Sequence, residues 1–264
     1  EELGIYIDGA RPLIRVPHAY PDRRVLLDVW RVTGWRGEPR GREGQELDWV
    51  EPDAIARRSM PAADVPVVNA IRLPDRYVVT PAPGADRDNF LECFETLLST
   101  GVVLVQFRAH GLDDRAYAAL ARECADRCRA HGATLLLNRD PALVSSTGAH
   151  GVHLTSERLG ALDSRPLDRD HWVGVSCHDA TELDRARRIG ADFAVLSPVR
   201  GTPGHRERPL LGWDGFAGLV GAAALPVYAL GGVGPADLES AWRHGAQGVA
   251  GIRAFWPSAT DGKK

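Results

Sequence analysis

The sequence has few cysteines, no long apolar run and almost no net charge. Its four cysteines show no paired CxxC spacing, which argues against a disulfide framework or a zinc ribbon and predicts reduced thiols. No stretch approaches the roughly 18 apolar residues of a membrane span, and no signal-peptide pattern opens the chain. A formal net charge of -3 does not point to a nucleic-acid polymer as partner. We therefore expect a cytoplasmic protein that acts on neither membranes nor nucleic-acid polymers.

The composition is that of an ordinary globular protein, but the sequence pattern of the first part of the chain differs from that of the rest. The sequence is 44% hydrophobic and 25% charged, which is typical of a packed domain. Its 264 residues suffice for one large domain, or for one large and one small domain.

The stretch Trp172–Val199 shows the organising unit of the larger part. Val173–Cys177 is a short apolar run that predicts a buried strand. Asp179, followed three residues later by Glu182, has the spacing of a helix N-terminus, and Gly190 has the position of a C-terminal stop. Phe193–Leu196 is a second apolar run. A strand, a helix and a strand in this space predict a βαβ unit with parallel strands.

The same alternation runs through the chain from Tyr77 onwards. The predicted strands are Tyr77–Thr80, Val102–Phe107, Thr134–Asn138, Gly151–Leu154, Val173–Cys177, Phe193–Leu196, Val227–Leu230 and Gly248–Gly251. Eight such units favour an α/β protein with a closed (β/α)₈ TIM barrel over residues 75–258, and an open doubly wound sheet is the alternative. The eighth helix is expected to be short or missing, and residues 259–264 to form a disordered tail.

Residues 1–74 lack this alternation and predict a small α+β unit. Leu26–Val32 and Leu47–Val50 are strand candidates on either side of a turn-rich polar loop. A short helix is expected to start at Pro52. A second helix over Val67–Leu73, ended by Pro74, leads into the barrel.

Working residues of a parallel barrel lie just after its strands. The polar candidates at these positions are Gln106, Arg108, Asn138, Ser176 and His178, whereas His153, inside a strand, is more typical of a satisfied core group. The turns at Gly231-Gly232 and Gly251-Ile252 follow the last two strands. Their exposed backbone amides are typical of a phosphate site.

These positions carry a family resemblance over residues 76–256. Its motifs are Gln106-Phe-Arg, Asn138, Gly151-Val-His, Gly174-Val-Ser-Cys-His, Ser197-Pro-Val with Thr202, Gly231-Gly and Ala250-Gly-Ile. In this order they resemble the thiamine phosphate synthase and TenI superfamily. The resemblance implies that Gln106, Arg108 and Asn138 bind a pyrimidine diphosphate. It also implies that Thr202 and the two glycine turns bind a thiazole phosphate.

The resemblance leaves three functions open. A synthase joins the two substrates with magnesium, but Arg139 and Arg158 stand where its metal-binding acids belong, with Asp140 and Glu157 beside them. The TenI branch lacks those acids and isomerises a thiazole carboxylate phosphate, and His178 matches its histidine. Because an imidazole titrates near neutrality, it suits this proton transfer, and the sequence slightly favours metal-independent TenI-like chemistry. The third possibility is a non-catalytic module that binds thiazole or thiamine phosphate.

The first residues carry a second resemblance. Glu1-Glu-Leu-Gly-Ile resembles the end of the Nudix box, and Val16-Pro-His-Ala-Tyr-Pro-Asp and Trp49-Val-Glu-Pro-Asp resemble Nudix hydrolases that cleave oxidised dGTP. The resemblance implies that residues 1–74 are the C-terminal remnant of a Nudix domain. Glu1 and Glu2 would then be remnants of its Mg²⁺ site. The upstream acids of the box are absent, so we expect 8-oxo-dGTP diphosphatase activity of an intact parent and not of this chain.

Overall fold

The computed structural model describes residues 2–201 and 209–257, and a closed barrel of eight parallel strands forms most of it. The strands are β1 (Tyr6–Ala19), β2 (Arg24–Arg36), β3 (Arg76–Val79), β4 (Leu104–Phe107), β5 (Thr134–Leu137), β6 (Gly151–Leu154), β7 (Trp172–Cys177), β8 (Phe193–Leu196), β9 (Val227–Ala229) and β10 (Gly248–Gly251). The helices are α1 (Pro52–Ile55), α2 (Val65–Arg72), α3 (Arg87–Ser99), α4 (Asp114–Ala130), α5 (Leu143–Thr147), α6 (Ser156–Gly160), α7 (Ala180–Arg188), α8 (Gly212–Val220) and α9 (Leu238–Arg243).

Strands β3 to β10 pair in chain order, and β10 pairs with β3 to close the ring. The closing register places Val249 opposite Arg76. This pairing confirms the predicted closed barrel and excludes the open sheet. Among the described residues no helix follows β10. Instead Trp256 packs against Phe90 of α3, with their ring centroids 5.2 Å apart.

Residues 6–36 form a long antiparallel hairpin of β1 and β2. The sequence predicted part of β2 but missed β1, because Pro12 and Pro17 interrupt its pattern. Prolines are tolerated there since each strand of a two-stranded sheet has an open edge. The predicted strand Leu47–Val50 is wrong: these residues form no regular structure. Trp49 instead lies against Trp35, with ring centroids 6.1 Å apart.

Helix α2 closes the amino end of the barrel. The side chain of Gln247 donates hydrogen bonds to the carbonyls of Ala70 and Leu73 at 3.1 and 2.9 Å. Arg31 of β2 donates to the carbonyl of Ile71 at 3.0 Å. The last carbonyls of a helix have no partner within it, so these two side chains satisfy groups that would otherwise be buried and unpaired.

The barrel interior is filled with side chains and is not a pore. Large residues that point inward pack with Leu73 in one cluster, namely Tyr77, Leu104, Leu136, Phe193, Val195 and Tyr228. A second layer of apolar side chains lies between the strands and the surrounding helices. Because the amino end is closed and the interior is filled, the carboxyl end of the strands is the face open to a ligand. None of the described helices is long and apolar enough to cross a membrane.

Candidate functional site

Two of the predicted substrate-binding residues meet at the carboxyl end of the barrel. Gln106 lies in β4 and is 4% exposed, and Asn138 directly follows β5. Asn138 Nδ2 donates to Gln106 Oε1 at 2.9 Å. Gln106 Nε2 donates in turn to the hydroxyl of Tyr77, in β3, at 3.2 Å. The hydroxyl of a tyrosine buried in the barrel interior therefore holds the Gln106–Asn138 pair in place.

The hydrogen-bond chain continues through the barrel interior to a third predicted residue. The Tyr77 hydroxyl lies 3.1 Å from Nδ1 of His153, and Nε2 of His153 lies 2.8 Å from Oγ of Ser176. Burial lowers the pKa of His153 to about 3, because a charged imidazole would lose its hydration. The imidazole is therefore neutral near pH 7.

His178 directly follows β7 and forms a pair with Glu182 in the first turn of α7. Glu182 Oε2 lies 2.8 Å from Nδ1 of His178 and accepts the backbone amide of His178 at 2.7 Å. Asp179 caps the helix by accepting the amide of Glu182 at 2.9 Å. The predicted capping pair is thus present, but the Glu182 carboxylate holds His178 as well as supporting the helix start.

Basic groups gather after β4 and β5. The backbone amide of Arg108 is fixed by the hydroxyl of Thr80 at 3.0 Å. The pKa of His110 lies below its usual value because of burial and the nearby charges of Arg108 and Arg139. The Arg139 guanidinium, however, donates to the carbonyl of Leu112 at 2.5 Å. The Arg139 side chain therefore lies beside the start of α4, 3.6 Å from the carboxylate of Asp114.

The backbone geometry of the turn after β9 requires glycine at two successive positions. Gly231 and Gly232 have φ values of 98° and 62°, a region that favours glycine. A Cβ on Gly232 would lie 2.7 Å from Cβ of Arg200, and one on Gly231 would lie 2.9 Å from Cα of Pro198. The backbone is thus packed closely against the segment that follows β8.

The second predicted phosphate turn lies at the end of the neighbouring strand. A Cβ on Gly251 would lie 2.9 Å from the Phe255 ring. Among the described residues the amides of Gly232 and Ile252 donate to no acceptor, as a phosphate site requires. Thr202 lies outside the described residues, so its predicted role remains a prediction.

The described residues hold no preformed cluster of metal ligands. No group of three or more His, Cys, Asp or Glu side chains converges within residues 2–201 and 209–257. Asp140 and Glu157 are exposed, and Asp140 caps a turn by accepting the amide of Ala142 at 2.9 Å. Glu1 lies outside the described residues, and Glu2 is exposed in a turn.

Arg158 lines a cleft beside α5 and α6. The cleft has a volume of about 670 Å³ and is lined also by Asp140, Leu154 and His171.

Sequence reasoning missed Tyr77 and Glu182 as parts of the site. Tyr77 lies in an apolar run, where an aromatic residue ordinarily indicates packing. Its hydroxyl partners lie 29 and 76 residues away in the chain, so no local pattern indicates them. Glu182 did offer a signal, since it stands four residues after His178 at the start of a helix.

Comparison with known proteins gives one consistent result. Residues 76–255 match the family model for thiamine monophosphate synthase. The thiamine-phosphate synthase of Thioalkalivibrio sulfidiphilus is 32% identical over 68% of this chain and 86% of its own length. That of Thermosynechococcus vestitus is 33% identical over 69% of this chain, but the match spans only 51% of its own length.

The fold comparison agrees with the sequence comparison. A thiamine phosphate pyrophosphorylase structure from Pyrococcus furiosus matches with a TM-score of 0.55 at 20% identity, over 67% of this chain and 85% of that one. At this identity the match supports the barrel fold alone. The family model covers most of the chain, and together with the relatives it shows that this chain belongs to the thiamine phosphate synthase/TenI family.

Proposed function

We propose that the barrel binds a thiazole phosphate at its carboxyl end and moves a proton on it with His178, as in TenI-like isomerisation. The observation that carries the proposal is the 2.8 Å contact between Nδ1 of His178 and Glu182. A carboxylate on Nδ1 favours the proton on that nitrogen and leaves the lone pair on Nε2. The unprotonated Nε2 is then the atom available as a base.

The chemistry needs only this pair and a bound substrate. Nε2 takes a proton from one carbon of the thiazole unit and returns it to another, between the ring and its exocyclic carbon. The imidazolium that forms in between is stabilised by the adjacent Glu182 carboxylate. A positioned acid/base of this kind contributes about 10²–10⁴ in rate.

The phosphate is proposed to lie against the turns at Gly231-Gly232 and Gly251-Ile252. Support comes from the left-handed backbone at the first turn and from the unbonded amides within the described chain. Backbone amides bind a dianion well because they are fixed in place before it arrives. Thr202 is proposed to add a hydroxyl contact.

Synthesis of thiamine phosphate is the second candidate, and the names of the relatives favour it. In that reaction Gln106 and Asn138 would hold the pyrimidine of a pyrimidine diphosphate, and Arg108 would bind its charged end. No three metal-ligating side chains converge among the described residues, so we assign none of the acids to a metal in this reaction. A module that binds the phosphate without turnover would keep the glycine turns and lack both activities.

For residues 1–74 we propose descent from a Nudix domain, supported by the motif residues at Glu2, Val16 and Trp49. In an intact parent Glu1 and Glu2 would hold Mg²⁺ for 8-oxo-dGTP hydrolysis. Within the described part of this unit, Glu2 belongs to no group of three or more His, Cys, Asp or Glu side chains. We therefore expect no such hydrolysis by this chain. Turnover of 8-oxo-dGTP with magnesium would contradict that expectation.

The test of the barrel's function compares two histidine variants. His178→Asn removes the proposed base, whereas His171→Asn removes another histidine held by a carboxylate, Asp168, at 2.6 Å but placed before β7. Each is assayed with thiazole carboxylate phosphate, and with pyrimidine diphosphate plus thiazole phosphate, with and without EDTA. We expect isomerisation that resists EDTA and is lost only in His178→Asn. Synthesis that EDTA abolishes and His178→Asn tolerates would establish the second candidate instead.

A further inference from the structure

We propose that Tyr77 and His153 are positioning residues, which fix the hydroxyl of Ser176 as a hydrogen-bond donor toward the ligand. This inference rests on the proposed function only in taking the carboxyl end of the barrel as the binding site. Neither residue reaches that end: Tyr77 is fully buried and His153 is 1% exposed. His153 can therefore act on a ligand only through Ser176, whereas Tyr77 contacts both His153 and Gln106.

The direction of the hydrogen bonds follows from the first members of the chain. The side-chain amide of Asn138 donates to Gln106 Oε1. The other end of the Gln106 amide, its N–H group, therefore faces Tyr77. The tyrosine oxygen thus acts as an acceptor for Gln106. Its own proton is then free to be donated to the nearest acceptor, which is Nδ1 of His153 at 3.1 Å.

The tautomer of His153 decides the state of Ser176. Because Nδ1 accepts the tyrosine proton and the ring is neutral, the single ring proton lies on Nε2. Nε2–H then donates to Oγ of Ser176 at 2.8 Å. With one lone pair so occupied, the Ser176 hydroxyl proton points away from the histidine and is available to a ligand. The chain of bonds therefore makes this serine a donor.

The surrounding residues keep the imidazole in place. A Cβ on Gly174 would lie 3.0 Å from Nδ1 of His153 and 2.5 Å from the Phe193 ring. Glycine at this position therefore leaves the room that the imidazole occupies. A buried member of this hydrogen-bond chain without a partner would lose its hydration and gain no bond in exchange, so the interior favours the fully bonded arrangement.

The barrel interior offers a matched control for this chain of hydrogen bonds. Tyr228 is also a buried interior tyrosine, but its hydroxyl donates to the carbonyl of Pro74 at the opposite end, at 2.6 Å. Tyr228→Phe removes a comparable buried hydrogen bond without touching the route to Ser176. Any effect found in Tyr77→Phe alone is then specific to the bonds of Tyr77 with Gln106 and His153, and a comparison with and without Ser176 separates these two routes.

The first measurement needs no enzymatic activity. Two-dimensional ¹H–¹⁵N NMR of protein with labelled histidine reports the tautomer of His153 at pH 7. We expect an Nε2–H signature that is altered in Tyr77→Phe and retained in Tyr228→Phe. An Nδ1–H signature in the unchanged protein, or an unaltered one in Tyr77→Phe, would overturn the inference.

The second measurement is a double-mutant cycle on turnover of thiazole carboxylate phosphate, or of pyrimidine diphosphate plus thiazole phosphate if the unchanged protein converts only that pair. Tyr77→Phe is expected to lower kcat about 10-fold, in line with one lost hydrogen bond. In the Ser176→Ala background it should lower kcat less than about 2-fold, since the group it positions is gone. His153→Gln, whose amide can donate to Ser176, should recover more activity than His153→Phe.

Equal losses from Tyr77→Phe in both backgrounds would show that it acts through Gln106 or by general disruption, and would overturn the inference. Absence of turnover with every substrate would contradict the proposed function alone. In that case the NMR measurement still decides whether Tyr77 fixes the state of His153.

Discussion

A single carboxylate oxygen of Glu182 contacts both the ring and the backbone of His178, at 2.8 Å from Nδ1 and 2.7 Å from the amide nitrogen. The side chain and the main chain of the histidine are therefore fixed by the same atom. Because that atom belongs to the first turn of α7, the orientation of the imidazole depends on the correct start of the helix. Because this contact is made to Nδ1, we propose Nε2 as the reactive nitrogen.

Glu182→Gln tests the pair without deleting the imidazole. The amide can still accept the backbone N–H of His178, but it no longer stabilises the imidazolium formed during proton transfer. We expect kcat for isomerisation to fall about 10²-fold, within the range for general acid–base catalysis. The start of α7 and the melting temperature of the protein should change little in this variant. The measurement is steady-state kinetics with circular dichroism as a control, and an unchanged kcat would remove Glu182 from the mechanism.

His153 should make the protein sensitive to acid. Its pKa is lowered to about 3 in the folded protein, against about 6.5 in the unfolded chain. Between these values the unfolded state binds a proton that the folded state does not, so stability falls as pH falls. This group alone should lower the free energy of unfolding by about 2 kcal/mol from pH 7 to pH 5. Urea denaturation at both pH values is the measurement.

The variant His153→Gln is the control for that prediction, because it keeps a side chain of similar polarity without a group that titrates. Its loss of stability between pH 7 and pH 5 should be smaller by about 2 kcal/mol. Equal acid sensitivity in both proteins would show that His153 is protonated in the folded state.

Gly232→Ala should weaken phosphate binding. The added methyl would strain a backbone with φ of 62° and lie 2.7 Å from Cβ of Arg200, so the turn must move. Gly132→Ala is a matched control, since Gly132 has φ of 64° with nothing within 4 Å of the added Cβ. We expect calorimetry with thiamine phosphate to show at least about 10-fold weaker binding for Gly232→Ala only. Equal affinity would place the phosphate elsewhere.

Gln247→Leu should destabilise the closure of the amino end. It removes the Gln247 donor from the carbonyls of Ala70 and Leu73, of which Ala70 keeps only a contact with Arg31 at 3.4 Å, and this costs about 1–3 kcal/mol. Gln45→Leu, at an exposed glutamine, should change stability by less than about 0.5 kcal/mol. Urea denaturation measures both. A loss below about 1 kcal/mol for Gln247→Leu would mean that α2 does not depend on this side chain.

The barrel was predictable because its signals are local. Gly151–Leu154, Phe193–Leu196 and Gly248–Gly251 are strands with the predicted bounds, since each is a short apolar run ended by a clear change in composition. The hairpin was only half predictable. Strand β1 contains prolines and charged residues, and its pairing with β2 is a tertiary property that no short window reveals.

The residues of the candidate site likewise divide into those that the sequence indicates and those that it does not. Positions after the strands were predictable from the architecture, which is why the sequence indicates Gln106 and Asn138 without revealing that they touch. The role of Tyr77 was not predictable, because it depends on a hydroxyl meeting a histidine 76 residues later in the chain. The link between His153 and Ser176 is likewise a product of neighbouring strands β6 and β7.

The most direct test of the central claim is the incorporation of solvent deuterium into thiazole carboxylate phosphate. The protein is incubated with this substrate in D₂O containing EDTA, and the isomerised product is analysed by mass spectrometry and NMR. The account predicts deuterium at the carbon that receives the proton, at a rate reduced about 10²–10⁴-fold in His178→Asn and unchanged in His171→Asn. Equal deuterium incorporation by the unchanged protein and His178→Asn would contradict it.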